Sequence, residues 1–318
     1  MCEDACQLHL LIITKRKKIV RIMKKLNLIG IVSVGLLLAS CSDTEGGHTE
    51  NDNREPVITT RLADFDGGGQ TIDGENDVED MQACLFEDGV MTKVYKNLPV
   101  SSDGYNLQLK NLKGNLYMLA NTANAIDLEK LQAEGITETE WLKTSFSPVV
   151  SETGHFFTGV LALDARGQRA VTKPITLKRG VARFDLVLNV AGDVEVNSLT
   201  LTNVARSVYL FPQGDAVKSP DNTERRDTTV AFLPAVVQDA PGVLYVYEQE
   251  NNGMEIKVEA GFDGGAVKTM TKTLEGDLKR NHVYTITVNK DYIDVTVKPN
   301  FEDWEEGGNT DMSPDALL

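Results

Sequence analysis

The sequence predicts an all-β protein of two antiparallel β-sandwich domains, with a short helical insertion in the first. Beyond residue 57 the commonest pattern is an apolar residue at every second position, the period that places side chains on one face of a strand. Turn formers recur between the alternating runs, at Pro241-Gly242, Gly253 and Gly264-Gly265, where a β-meander must reverse. Helical spacing of apolar residues appears in one short region only. Most of the chain is therefore β.

The first segment with a clear meaning lies outside the fold. Met23-Lys24-Lys25 leads an apolar run from Leu26 to Leu38, which closes on Leu38-Ala39-Ser40-Cys41. This is the layout of a secretory signal whose cleavage between Ser40 and Cys41 leaves the cysteine as a lipid-bearing N-terminus. The apolar run is 13 residues, against the ~20 that a helix needs to span a bilayer, so the mature protein is tethered rather than threaded. Residues 1 to 22, with Cys2, Cys6 and the basic run Lys15 to Lys18, precede a signal that is complete without them. They read either as a start codon assigned too early or as a long basic flank. Residues 42 to 56 contain no large apolar side chain to offset ordering entropy, so 41 to 56 reads as a flexible tether.

The fold elements then follow in order. Val57 to Ala63 reads as a first strand with Arg61 inside it, and Asp64 to Glu75 as an acidic, glycine-rich turn. Leu107 and Leu109 alternate with polar residues. Ile126, Leu128 and Leu131 sit at helical spacing, and Thr137 with Glu140 ahead of Trp141-Leu142 fits a capping box, in which each side chain satisfies the other residue's backbone N–H. A domain boundary is expected near Pro174 to Arg179, dividing the fold into residues 57 to 177 and 178 to 305, with a tail at 306 to 318. Phe184, Leu186 and Leu188 then alternate with Arg183 and Asp185. Tyr284-Ile286-Val288 and Ile293-Val295-Val297 close the second domain in the same manner.

Charge excludes some partners. The chain carries 32 Lys/Arg and 47 Asp/Glu, a net charge of −15. Removing residues 1 to 40 takes seven of the former and two of the latter, leaving 25 basic and 45 acidic residues, so the mature surface repels nucleic acid. Its 278 residues fit one large or two ordinary domains. Of four cysteines only Cys84 remains in the folded part, which rules out an intramolecular disulfide.

Catalytic constellations do not emerge. His48, His155 and His282 show no metal-ligand spacing, and no GxSxG, phosphate loop or dinucleotide fingerprint occurs. The sequence therefore calls for no enzyme, cofactor or structural metal. Asp64, Asp66, Gly69 and Glu75 match positions 1, 3, 6 and 12 of a calcium loop, but Gly68 stands at position 5 and flanking helices are missing. An acidic glycine turn is the better reading. Cys84, between Ala83 and Leu85, reads as a small buried hydrophobe.

Three stretches carry a family resemblance. Met81-Gln-Ala-Cys-Leu-Phe86-Glu-Asp-Gly89, Leu177-Lys-Arg-Gly-Val-Ala-Arg-Phe-Asp-Leu186 and Tyr284 to Trp304-Glu-Glu-Gly resemble strands of Bacteroidales fimbrillin-type lipoproteins, most closely the FimB/Mfa2 family of fimbrial subunits and anchors. The resemblance implies two transthyretin-like sandwiches, lipid attachment to the outer membrane at the mature cysteine, a cell-surface location and pilin subunits as partners, with a host or bacterial surface ligand as a further one. It also implies assembly by strand complementation, in which a donated strand pairs an unpaired edge. Stalk subunits of the family are trimmed after an arginine in the first strand, so Arg61 is the candidate protease site. The glycine- and proline-broken end after Trp304 departs from a donor strand, which favours an anchor or accessory role. A surface glycan-binding lipoprotein is the alternative, although Trp141 and Trp304 offer little aromatic platform. A secreted hydrolase would need a catalytic constellation that the sequence lacks.

Overall fold

In the computed structural model the described residues are 57–66, 68–99, 105–107, 109, 113–147, 155–164 and 173–297. The signal, Ser40, Cys41, the tether, His48, Trp304 and the tail lie outside them. A first seven-stranded sheet is built from β1 (Val57–Leu62), β2 (Met81–Glu87), β3 (Val90–Tyr95), β4 (Tyr105–Asn106), β5 (Lys113–Ala120), β7 (Phe157–Asp164) and β8 (Lys173–Arg179), in the order β3-β2-β5-β7-β8-β1-β4. β7 and β8 pair at only two positions, Phe157 with Arg179 and Thr158 with Lys178. The sheet folds over at that seam. Ile58, Leu85, Met118, Phe157 and Leu177, drawn from both sides of it, share one buried core.

Alternation fills the other face as well. Cys84 and Phe86 on β2, and Tyr117 and Leu119 on β5, point away from that core into a second one. There they meet α1 (Leu128–Ala133) and α2 (Glu138–Leu142), the expected helical insertion. Thr137 and Glu140 form the capping box, and fully buried Trp141 packs on Phe86, Tyr117 and Phe211. Asp88 and Gly89 close the β2–β3 hairpin with positive φ at both positions, the requirement of a two-residue I′ turn.

Two four-stranded sheets follow. One is β12 (Arg225–Val236), β10 (Val194–Ala205), β14 (Glu255–Phe262) and β15 (Lys268–Thr273); the other is β13 (Ala240–Tyr247), β9 (Val181–Leu188), β16 (Val283–Val288) and β17 (Ile293–Val297). Phe184, Leu186, Leu199, Leu201, Ile256, Val258 and Ile286 fill the space between them. This is a sandwich with the predicted register. Pro241-Gly242, expected as a turn, instead lies inside β13 at a register shift between Ala240 and Leu244, because a bulge also needs glycine's positive φ.

Sheet membership changes at Gly180, between β8 and β9, three residues beyond the boundary read from the sequence. Gly180 has to be glycine, since a Cβ there would sit 1.8 Å from Cζ of buried Phe156. The two halves are not sealed from each other. Val181, Val208, Leu210, Phe211 and Tyr247 enter the core that Cys84 and Trp141 occupy, and β6 (Ser145–Phe146) pairs with β11 (Val208–Tyr209).

Candidate functional site

The first strand, β1, carries the candidate protease site Arg61. It runs parallel to β8 over five residue pairs, from Ile58 opposite Lys173 to Leu62 opposite Leu177, while among the described residues β4 covers its other edge at Val57 and Ile58. Ile58 is wholly buried. Arg61 is exposed, and its Nε donates to Thr176 Oγ1 at 2.8 Å, so the candidate protease site sits on a hydrogen-bonded strand and not in a loop.

Immediately after β1 the chain enters a grip formed by two arginines. Ala63 N donates to Leu177 O at 2.8 Å, and Arg179 Nη1 donates to Ala63 O at 2.7 Å. Phe65 lies between the guanidinium groups of Arg179 and Arg183, whose Cζ atoms stand 4.4 and 4.6 Å from the ring centroid. Cation–π attraction is strongest where water is excluded, and both arginines and Phe65 are buried. Asn281 joins the strands from the far side, donating Nδ2 to Asp64 O and accepting from Arg179 Nη1 at Oδ1. Gly69 lets the backbone pass β16, for a Cβ would fall 2.6 Å from Val283 Cγ2.

Glu75 closes the arrangement. Its carboxylate, 2% exposed, accepts from Arg183 Nη1 at 3.0 and 3.1 Å, from Tyr245 OH at 2.9 Å and from Ile72 N at 2.8 Å. Asp185 takes Arg183 from the other side, 3.0 Å from Nη2. Two carboxylates thus balance one buried guanidinium, as a buried charge requires. His155 packs against Tyr245 at 4.5 Å between centroids, the two rings tilted by 57°. Its burial, with Arg179 and Arg183 nearby, holds its pKa down at about 4 against the opposing pull of Glu75.

This geometry redefines the acidic glycine segment. Glu75 is committed to Arg183, and Asp66 to Lys178 at 3.2 Å, so the spacing that resembles a calcium loop places its oxygens on arginine and lysine. Among the described residues no group of three or more His, Cys, Asp or Glu could hold a metal. Cys84 is wholly buried, and burial followed by Glu138 pushes its thiol pKa up. The arginine grip escaped the sequence reading because Arg183 occupies a strand position that alternation assigns to solvent, and Glu75 is 108 residues away.

Residues 63–66 and 68–76, held by Arg179 on β8 and Arg183 on β9, thus form a wedge between the first sheet and the second sandwich. A family model described as fimbrillin-A associated anchor proteins Mfa1 and Mfa2 matches residues 52–310. The chain belongs to this family. Its role is fimbrial and its place is the cell-surface fimbrium. Among solved structures it resembles a putative cell adhesion protein from Bacteroides eggerthii, at 14% identity and a TM-score of 0.51, over 77% of this chain and 95% of that one. It also resembles a fimbrial assembly protein from Parabacteroides distasonis, at 12% identity and a TM-score of 0.50, over 76% and 97%. At such identities the likeness speaks for the fold. No curated protein matches the chain.

Proposed function

We propose that this family member is a lipid-anchored anchor or accessory subunit of a fimbria, held to the outer membrane through Cys41, which keeps β1 and receives a pilin by strand complementation. The observation that carries this reading is the attachment of β1: five ladder pairs to β8, a fully buried Ile58 and the arginine grip that begins at Ala63. Cutting after Arg61 would remove the strand that covers Ile58's site in the core and would separate the sandwiches from the lipid. A subunit whose task is attachment has to avoid that cut. The acidic net charge and the family's fimbrial role point to protein partners rather than nucleic acid.

Mass spectrometry of the protein recovered from intact fimbriae tests the reading. The expected N-terminus is lipidated Cys41, and Cys41→Ala should leave the membrane fraction or retain its signal. Stable anchoring takes two or more acyl chains. A mature N-terminus at Leu62 would make the protein a stalk or tip subunit and refute the anchor role.

A further inference from the structure

One asparagine in the loop between β13 and β14 is left chemically free. Residues 251–253 read Asn-Asn-Gly, and Asn252-Gly253 is the one Asn-Gly step in the chain. Asn251 is fully committed: its backbone N donates to Asp277 Oδ1 at 2.8 Å, its Nδ2 donates to Leu274 O at 2.5 Å, and its Oδ1 accepts from Met254 N at 3.0 Å. Its neighbour is not. Asn252 is exposed, and although its carbonyl accepts from Asn203 Nδ2, its side-chain amide has no partner among the described residues. Gly253 is exposed as well, at φ +70°, and an added Cβ there would meet no atom within 4 Å. Its N–H bonds to nothing among the described residues.

Backbone N–H groups inside a fold are nearly all paired, and a paired N–H is a poor nucleophile. The Gly253 nitrogen escapes that restraint, follows directly on the Asn252 carboxamide, and has no side chain of its own to block the approach. Joining the two is intramolecular, so no second molecule has to be ordered for the first step. We propose that Asn252 is a self-modification site that ages the second sandwich, converting to aspartate and isoaspartate with water as the co-reactant. Solvent base takes the Gly253 N–H proton, the nitrogen bonds to Asn252 Cγ, and the Cγ–Nδ2 bond breaks, so that ammonia leaves with the proton returned to it by solvent. The cyclic imide left between the two residues then takes up water at either carbonyl. Breaking the new Cγ–N bond gives aspartate in a normal chain. Breaking the bond from nitrogen to the main-chain carbonyl carbon gives isoaspartate, with the chain routed through Cβ and Cγ and one methylene longer. Nothing is oxidised or reduced.

The two products act differently on the fold. Met254 is wholly buried in the core of the second sandwich, and Glu255 N donates to Thr202 Oγ1 at 2.8 Å. A methylene added between positions 252 and 253 falls between these fixed points and the Asn203 contact, and it displaces a core side chain where packing is tight. Aspartate changes charge alone. Asn197, followed by Ser198, is the comparison within the chain: Ser198 is paired with Ala231 on one side and Glu259 on the other, so the site reacts only when the ladder opens. This inference depends neither on the lipid anchor nor on the fate of β1.

The test ages the folded mature protein for days at mildly alkaline pH in heavy-oxygen water and maps its peptides by mass spectrometry, with the urea-unfolded chain as the control in which asparagines convert without restraint. The peptide holding position 252 should exchange its amide nitrogen for a heavy oxygen, and electron-transfer fragmentation should find isoaspartate beside aspartate there. Conversion at Asn252 should run at least about tenfold faster than at Asn197, because ladder opening is an added barrier. The isoaspartate-bearing fraction, separated by chromatography, should melt below the fresh protein. Freshly prepared Asn252→Asp should melt with the fresh protein, and Asn252→Gln should pass through the same incubation unmodified at that position. Retention of asparagine at 252 in the folded protein while the unfolded chain converts, equal rates at Asn252 and Asn197, or an isoaspartate-bearing fraction that melts with the fresh protein would each overturn the proposal.

Discussion

Glu75→Ala probes the wedge most directly. The substitution removes the acceptor for Arg183 Nη1, Tyr245 OH and Ile72 N at once, and leaves Arg183, itself 2% exposed, with Asp185 as its remaining carboxylate. Breaking a buried pair by deleting one partner costs ~3–5 kcal/mol, because the surviving charge stays desolvated. At roughly 2–4 °C per kcal/mol for a chain of this size, the melting temperature should fall by roughly 6–20 °C. Glu75→Gln keeps an acceptor for Tyr245 and Ile72 but drops the charge, so its loss should be intermediate. Exposed Asp73→Ala is the control, expected within about 0.5 kcal/mol of the parent. Differential scanning calorimetry makes the comparison. If Glu75→Ala melts with Asp73→Ala, the carboxylate is not holding the wedge.

Three further outcomes follow from the same packing. Gly180→Ala forces a Cβ onto Phe156 and should cost ~1–3 kcal/mol as overpacking does; a double-mutant cycle with Phe156→Leu should show coupling of at least ~0.5 kcal/mol, and strict additivity would refute the contact. His155 has a folded pKa of about 4, below the usual 6.5. The unfolded chain therefore takes up a proton that the folded one refuses between those values, and stability should decline as pH falls from about 6.5 to 4. His155→Gln should flatten that part of the pH profile, as read by denaturant melts. Leu186→Ala, at 1% exposure, should cost ~2–5 kcal/mol, and Leu233→Ala, at 94%, should cost almost nothing; equal effects would contradict the register of β9.

What could be read from the sequence was what neighbours along the chain determine. The capping box at Thr137 and Glu140 spans three residues, and the structure contains it because both backbone donors lie within reach of those side chains. Alternation placed Phe184, Leu186 and Ile286 on inner faces because the strand period is two. The same rule misassigned Arg183, whose face of β9 meets the 63–76 segment and not water. Pairing over such separation leaves no local signal: an arginine between apolar residues looks the same whether it faces solvent or a carboxylate supplied from a distant part of the chain. Pro241-Gly242 misled for a related reason, since a bulge and a turn ask for the same backbone freedom.

The position of the grip relative to Arg61 separates two roles that one first strand could serve. Every contact of the wedge, from Ala63 O on Arg179 to Glu75 on Arg183, lies on the C-terminal side of the Arg61–Leu62 bond. A cut there would strip β1 and uncover the core around Ile58, yet leave the two halves of the protein joined. The removable part and the fixed part thus meet at Ala63. In the proposed anchor, tension from the membrane would enter β1 and load its parallel ladder to β8 along the strands, so that several hydrogen bonds would share the strain. Any residual load would reach Phe65, gripped between two guanidinium groups and backed by the Glu75 ion pair. A subunit that only needed a displaceable strand would gain nothing from two attachments in series, whereas one that holds a fibre to a membrane would need both.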